Sequence, residues 1–325
     1  MTALTAGIAL AAGALAFAPA ADAAAATDWP NKTVTVLAPF AAGGTVDIVA
    51  RLVGQELTQD LGKSFIVDNR GGAGGTIATS ILAHAAPDGY TLMVHHMGFA
   101  FNATLYTKVN YDTRRDIVPV ALVGSTPNAL VVNNSLPVKD VKEFLALARA
   151  KPGTINYGSG GPGSAGHLPM ELLQSIDHIK LEHVPYKGSG PALVDLMGGQ
   201  IQAMLLTMPA VMPYLQSGKL RAIATSGKKR SPALPNLPTL EEAGVKGFEY
   251  APWYGFFAPA GTPPAVLDKL HDSVNKVLGD PAIAAKLGQQ GIEVQPISRE
   301  QFVETVDADI AKWGKIIKGL NLKGD

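Results

Sequence analysis

The sequence predicts an α/β protein of two lobes, each a mostly parallel sheet flanked by helices, the two joined by a two-strand hinge. Three observations carry this expectation. Short β-branched strands alternate with helical segments along most of the chain, and at four places a glycine-rich turn hands the strand over to the helix. Two extended stretches, Val118 to Val132 and Phe248 to Phe257, bracket the middle of the chain like crossings between two bodies. Strand and helix in alternation build parallel sheets covered on both faces. A chain of 325 residues with 47% apolar content can fill two ordinary domains. Residues 29–124 with 251–325 are expected to form one lobe, and 125–250 the other.

The elements follow in order. Residues 1–23 read as a signal peptide: an apolar run from Gly7 to Phe17, then Pro19 and the small-residue site Ala21-Asp22-Ala23, although no Lys or Arg precedes the run. The mature chain is therefore expected to be exported and soluble, since no later segment is apolar for long enough to span a bilayer. Val34 to Ala38 is a buried strand that Pro39 stops. Phe40-Ala41-Ala42-Gly43-Gly44 turns into a helix at Thr45, with Thr45 as its expected N-cap. The pattern recurs three times. Phe65 to Asp68 leads through Gly71 to Gly75 into a helix at Thr76. Ile155 to Tyr157 leads through Gly158 to Gly163 into a helix at Ser164, and His183 to Tyr186 leads through Lys187 to Gly190 into one at Pro191. Ligands of open parallel sheets bind beyond the carboxyl ends of the strands, where all four turns gather. Helices from Ala265, Pro281 and Arg299 complete the chain, and Trp313 on the last of them is expected in the core.

A glycine turn before a helix presents free backbone N–H groups and the positive end of the helix dipole, which together make an anion site. One such turn is equally well explained by a need for positive φ; several converging on one cleft favour binding. Gly158-Ser159-Gly160-Gly161-Pro162-Gly163 matches the dinucleotide fingerprint formally, but its strand is short and polar and Pro162 stiffens the turn where a pyrophosphate would lie. Donation to a carboxylate by Ser159, Gly160, Ser164 and neighbouring amides is the better reading. No hydrolase, nucleotide-loop or zinc-protease motif occurs. Cysteine is absent, and Lys+Arg equals Asp+Glu at 27 each, which speaks against nucleic acid. His95 and His96, neighbours at a strand end, point to opposite faces and are poorly placed to share a metal. His167 either donates to the ligand or packs; Asp47 either complements the helix dipole or touches the ligand.

The ordered motifs Pro39 to Gly44 with Asp47 and Arg51, Asn69 to Gly75, Asp88-Gly89-Tyr90, Tyr157 to Gly160, Gly166-His167-Leu168 and Val184 to Gly188 carry a resemblance. The chain resembles the Bug-type receptors of the tripartite tricarboxylate transporter family, from Trp29 to the final helix. The resemblance implies a type II periplasmic binding-protein fold and a non-enzymatic receptor, expected as a monomer. It would close on one carboxylated solute and deliver it to membrane permease subunits, with no cofactor, metal or nucleic acid. It implies ligand contact by Phe40, Ala41, Ala42, Gly43, Gly44, Thr45 and Asp47 in the first loop, and by Ser159, Gly160, Gly161, Gly163, Ser164 and His167 in the third. Gly74, Gly75, Thr76, His95, His96, Met97, Lys187 and Thr207 complete the expected site. The bulky run His95-His96-Met97 with Phe99 and Phe101, and Leu206 to Pro209, suggest a dicarboxylate and favour an aromatic one such as a phthalate isomer. Citrate-like or amino-dicarboxylate ligands are the alternative, as is an esterase or decarboxylase using Ser164 and His167.

Overall fold

The computed structural model describes residues 28–324, so the expected signal peptide lies outside the described residues. The strands are β1 (Val34–Ala38), β2 (Phe65–Asn69), β3 (Thr91–His96), β4 (Ile117–Ser125), β5 (Asn128–Val132), β6 (Asn156–Ser159), β7 (Glu182–Pro185), β8 (Ala203–Thr207), β9 (Arg221–Thr225), β10 (Trp253–Pro259) and β11 (Glu293–Val294). The helices of the first half are α1 (Thr45–Leu61), α2 (Thr76–Ala83), α3 (Gly98–Leu105), α4 (Val141–Ala150) and α5 (His167–Asp177). Those of the second half are α6 (Ser189–Met197), α7 (Met208–Gln216), α8 (Pro264–Gly279), α9 (Pro281–Gln289) and α10 (Arg299–Gly319).

Two sheets result, ordered β11-β4-β10-β3-β1-β2 and β7-β6-β8-β5-β9. β1 pairs in parallel with β2 and β3, and β6 with β7 and β8, as βαβ units require. Each sheet is nevertheless mixed. β10 runs antiparallel to β3 and β4, and β5 antiparallel to β8 and β9. These are the strands the chain enters directly after changing sheets: it leaves the first between Ser125 and Asn128 and returns between Thr225 and Trp253. The two passages are hydrogen-bonded side by side. Thr126 N–H donates to the Pro252 carbonyl at 3.1 Å, Tyr250 N–H to the Ser226 carbonyl at 2.8 Å, and Asn128 N–H to Ser226 Oγ at 2.7 Å.

The interior strands are apolar on both faces because helices cover both. β1 buries Val34 and Val36 against Val49 and Val53 of α1 and Leu270 and Val274 of α8. A second apolar cluster runs continuously from Phe99, Phe257 and Trp313 in the first lobe to Leu130, Tyr157 and Leu205 in the second. At about 25 cal/mol per Å2 of apolar area removed from water, each such side chain stabilises by roughly 1.5–3 kcal/mol. Trp313 lies in this core, against Phe101 at 4.8 Å. Among the described residues no helix is long and apolar enough to cross a membrane.

Candidate functional site

The carboxyl ends of β1, β6, β7 and β8 lead into helices α1, α5, α6 and α7. The residues just before these helices, Gly44, Gly166, Gly188 and Thr207, make no side-chain capping hydrogen bond. The first N–H groups of a helix have no intrahelical acceptor, and the helix dipole adds positive potential there. Gly44 and Thr45, Gly166, Ser189, and Thr207 from these four starts line one cavity of about 30 Å3 between the sheets. Phe40, Val46, Met204, Leu206 and Tyr254 supply apolar wall, and Ser159, Gly160, Ser164, Ala165 and His96 the rest. Among the described residues no Asp, Glu, Lys or Arg side chain lines it.

What the cavity offers an anion is neutral donors. Ser164 Oγ is buried without a hydrogen-bond partner, and the Tyr254 hydroxyl is buried within reach of the Thr45 and Thr207 hydroxyls. Burial raises the Tyr254 phenol far above its usual range, so it stays protonated and able to donate. Thr45 Oγ1 and Thr207 Oγ1 are hydrogen-bonded to each other across the cleft. Thr45 is the first residue of α1 rather than its cap; Gly44 holds that position, and the threonine hydroxyl faces the other lobe. His96 Nδ1 accepts Gly98 N–H at 2.7 Å, so the neutral ring carries its proton on Nε2. Burial, with His95 beside it, keeps the His96 ring neutral by lowering its pKa well below the usual value.

Of the residues expected from sequence, Phe40, Gly44, Thr45, His96, Ser159, Gly160, Ser164 and Thr207 meet at this cavity. The others surround it. Asp47 accepts from Gly43 N–H at 3.0 Å, from Asn69 Nδ2 at 3.0 Å and from Arg51 at 2.9 Å, and so clamps the first loop. Burial pushes its carboxyl up, but the hydrogen bonds from Arg51, Gly43 and Asn69 outweigh this and hold it below the ordinary carboxylate range. Ala41, Ala42 and Gly43 form the outer side of that loop, with Gly43 at φ +83° making the turn. Gly74, Gly75 and Thr76 belong to a loop that meets the other lobe instead: Gly74 stands against the Pro162 carbonyl, to which the Tyr106 hydroxyl donates at 3.0 Å. His95 is fully buried, bonded through Nδ1 to the His96 backbone, and burial lowers its pKa to about 3. Met97 packs in the core cluster together with Phe99 and Phe101. Gly161 and Gly163 shape the third loop at φ +104° and +77°, and Lys187 is exposed.

Helix α5 starts at His167, so Ser164 lies in the turn ahead of it, and no Ser164–His167 side-chain bond exists among the described contacts. The His167 ring accepts Gly163 N–H at 3.3 Å and stacks on His183 at 4.5 Å, leaving Ser164 Oγ without a base. Val46, Ala165, Gly166, Ser189, Met204 and Tyr254 are cavity residues that sequence reasoning missed, and of these Ser189 and Tyr254 bring hydroxyls. Ser189 carried a signal, since it lies within the fourth glycine turn, Lys187 to Gly190, although the helix begins at Ser189 rather than at Pro191; Tyr254, in an extended run of aromatics, carried none.

Two lobes around a cleft lined by uncapped helix starts define a solute-binding protein. The chain belongs to the tripartite tricarboxylate transporter family receptors, whose model, TctC, matches residues 49–322. That is a family of transport receptors and not of enzymes. The chain is 38% identical to Rpa4515 of R. palustris, a structure with adipate, at a TM-score of 0.88 over 91% of this chain and 99% of that one. MatC of Rhodopseudomonas palustris with bound malate is 35% identical, TM-score 0.85, over 89% and 100% of the two chains. Protein BugT of Bordetella pertussis is 34% identical over 92% of both chains.

Proposed function

We propose that this protein is a periplasmic receptor that closes on a small dicarboxylate between its lobes and presents it to the permease of a tripartite tricarboxylate transporter, acting as a monomer. Residues 29–124 with 251–325 form one lobe in this reading, 125–250 the other, and the paired passages at Thr126 and Pro252 are the hinge. The observation that carries it is the convergence of four helix starts without side-chain caps, the unpartnered Ser164 hydroxyl and the Tyr254 hydroxyl on one cavity that, among the described residues, no charged side chain lines. Such donors satisfy a carboxylate and leave little to satisfy a cation. At about 30 Å3 the cavity admits a solute only when the lobes part, which makes capture and closure one event.

An aliphatic chain suits the site better than an aromatic ring. Phe99 and Phe101, which favoured the ring, are packed against Phe257 and Trp313 in the core. The bound adipate and malate of the two similar structures point the same way. A thermal-shift panel of adipate, malate, citrate, glutamate and the phthalate isomers tests this, since a ligand stabilises by RT ln(1+[L]/Kd). Adipate or malate is expected to raise Tm most. Stabilisation by phthalates alone would overturn the aliphatic reading, and no response to any carboxylate would overturn the receptor reading.

A further inference from the structure

His183 lies outside the cavity lining, yet its ring reaches the cavity through one atom. Its Nε2 is 2.7 Å from the Oγ of Ser159, a residue of the cavity lining. The ring is fixed by stacking between Tyr157, at 4.8 Å and 15°, and His167, at 4.5 Å and 30°. Strand register sets this up, because Tyr157 of β6 pairs with His183 of β7, and the Tyr157 hydroxyl is itself held by Glu171.

A serine hydroxyl has two acceptor lone pairs and one proton. One lone pair of Ser159 Oγ takes Gly161 N–H at 3.0 Å. Two arrangements remain. If the His183 proton is on Nδ1, Nε2 takes the serine proton and the cavity faces a lone pair, which repels an anion. If it is on Nε2, His183 fills the second lone pair and the serine proton is released; among the described residues its one other acceptor is the Gly161 carbonyl at a long 3.3 Å.

We infer that His183 is a positioning residue that donates from Nε2 to Ser159 Oγ and thereby turns the Ser159 proton toward the bound carboxylate. This rests on the carboxylate reading above: the 2.7 Å contact fits either tautomer, and a bound anion selects the one in which His183 donates. The same hydroxyl that would be neutral toward charge becomes a dedicated anion donor because a ring behind it occupies its lone pair.

Two measurements test it. Long-range 15N–1H NMR of the histidine rings in the wild-type protein at neutral pH is expected to show His183 as the Nε2–H tautomer; the Nδ1–H tautomer would overturn the inference whether or not any ligand binds. Calorimetric titration with adipate then uses a double-mutant cycle. His183→Phe, which keeps a stacking ring but no donor, is expected to weaken binding about fivefold, the worth of one ordinary hydrogen bond. His183→Gln, which keeps an N–H, is expected to restore most of the loss. In a Ser159→Ala background, His183→Phe is expected to change affinity no further. Loss that persists undiminished in Ser159→Ala, or no loss in either background, would overturn the inference, because a loosened stack acts regardless of the serine. Failure of the wild type to bind adipate or any other carboxylate counts against the receptor reading alone, and the tautomer still decides this one.

Discussion

Removing the Ser164 hydroxyl should separate binding from folding. Its oxygen is buried and unpartnered in the protein, so Ser164→Ala is expected to leave Tm unchanged or slightly raised. Hydrogen bonds to charged groups contribute about 1.5–3 kcal/mol, so dicarboxylate affinity should fall roughly 10- to 100-fold by calorimetry. Asp47→Ala should do the opposite, removing the acceptor shared by Gly43 N–H, Asn69 and Arg51 and lowering stability by about 1–2 kcal/mol in urea titration. The sequence distinguished these roles unevenly. Asp47 near a helix start already read as a local dipole partner, and Thr45 and Ser164 as donors. Phe99 and Phe101 looked like pocket wall because bulk and polarity do not encode direction: helix α3 turns both rings into the core. Tyr254 faces the cleft only because β10 lies between β3 and β4, a placement no local pattern announces.

At the level of elements, the strand–glycine–helix units were legible because each has its own chemistry: β-branched residues, a turn needing glycine, then helical spacing. β1 occupies the residues the sequence marks, Val34 to Ala38. The start of α5 was placed three residues early, at Ser164, because helical spacing extends back into the turn; positive φ at Gly161 and Gly163 delays the helix to His167. The antiparallel entry of β5 and β10 was not legible, since strand direction follows from where the chain crosses, not from composition. One element-scale consequence is a pH dependence. Burial lowers His183 to about 4, and burial with His183 nearby lowers His167 to about 3. Above pH ~6.5 both rings are neutral folded or unfolded and cost nothing. As pH falls from there toward 4, the unfolded chain takes up protons that the folded one refuses, so stability must fall. Tm should therefore drop steadily between about pH 6.5 and 4, and His167→Phe should flatten the slope. A Tm independent of pH in that window would show that the stack is not buried in solution.

For the whole molecule, two lobes and a double crossing were readable because Val118 to Val132 and Phe248 to Phe257 are extended, alternating stretches that bracket the middle of the chain. The extent of closure was not, since it depends on contacts between residues far apart in sequence. Gly74 is one of these: a Cβ there would lie 2.1 Å from the Pro162 carbonyl of the other lobe, and its φ of +60° disfavours a side chain as well. Gly74→Ala should hold the lobes apart like a wedge. Small-angle scattering with saturating ligand is expected to give a larger radius of gyration than wild type, with affinity reduced at least about tenfold; an unchanged radius would show that the loop yields instead.

That no charged side chain lines the cavity among the described residues has a practical sequel. Mobile ions screen interactions between solvent-exposed charges over a Debye length of about 8–10 Å at ordinary salt, but act weakly on buried dipoles. A grip made of helix starts and hydroxyls should therefore be almost indifferent to ionic strength, with Kd changing less than about twofold from ~10 mM to ~0.5 M sodium chloride. An arginine-based pocket in the same cleft would weaken as salt rose. Where salinity fluctuates, this design lets occupancy follow solute concentration alone.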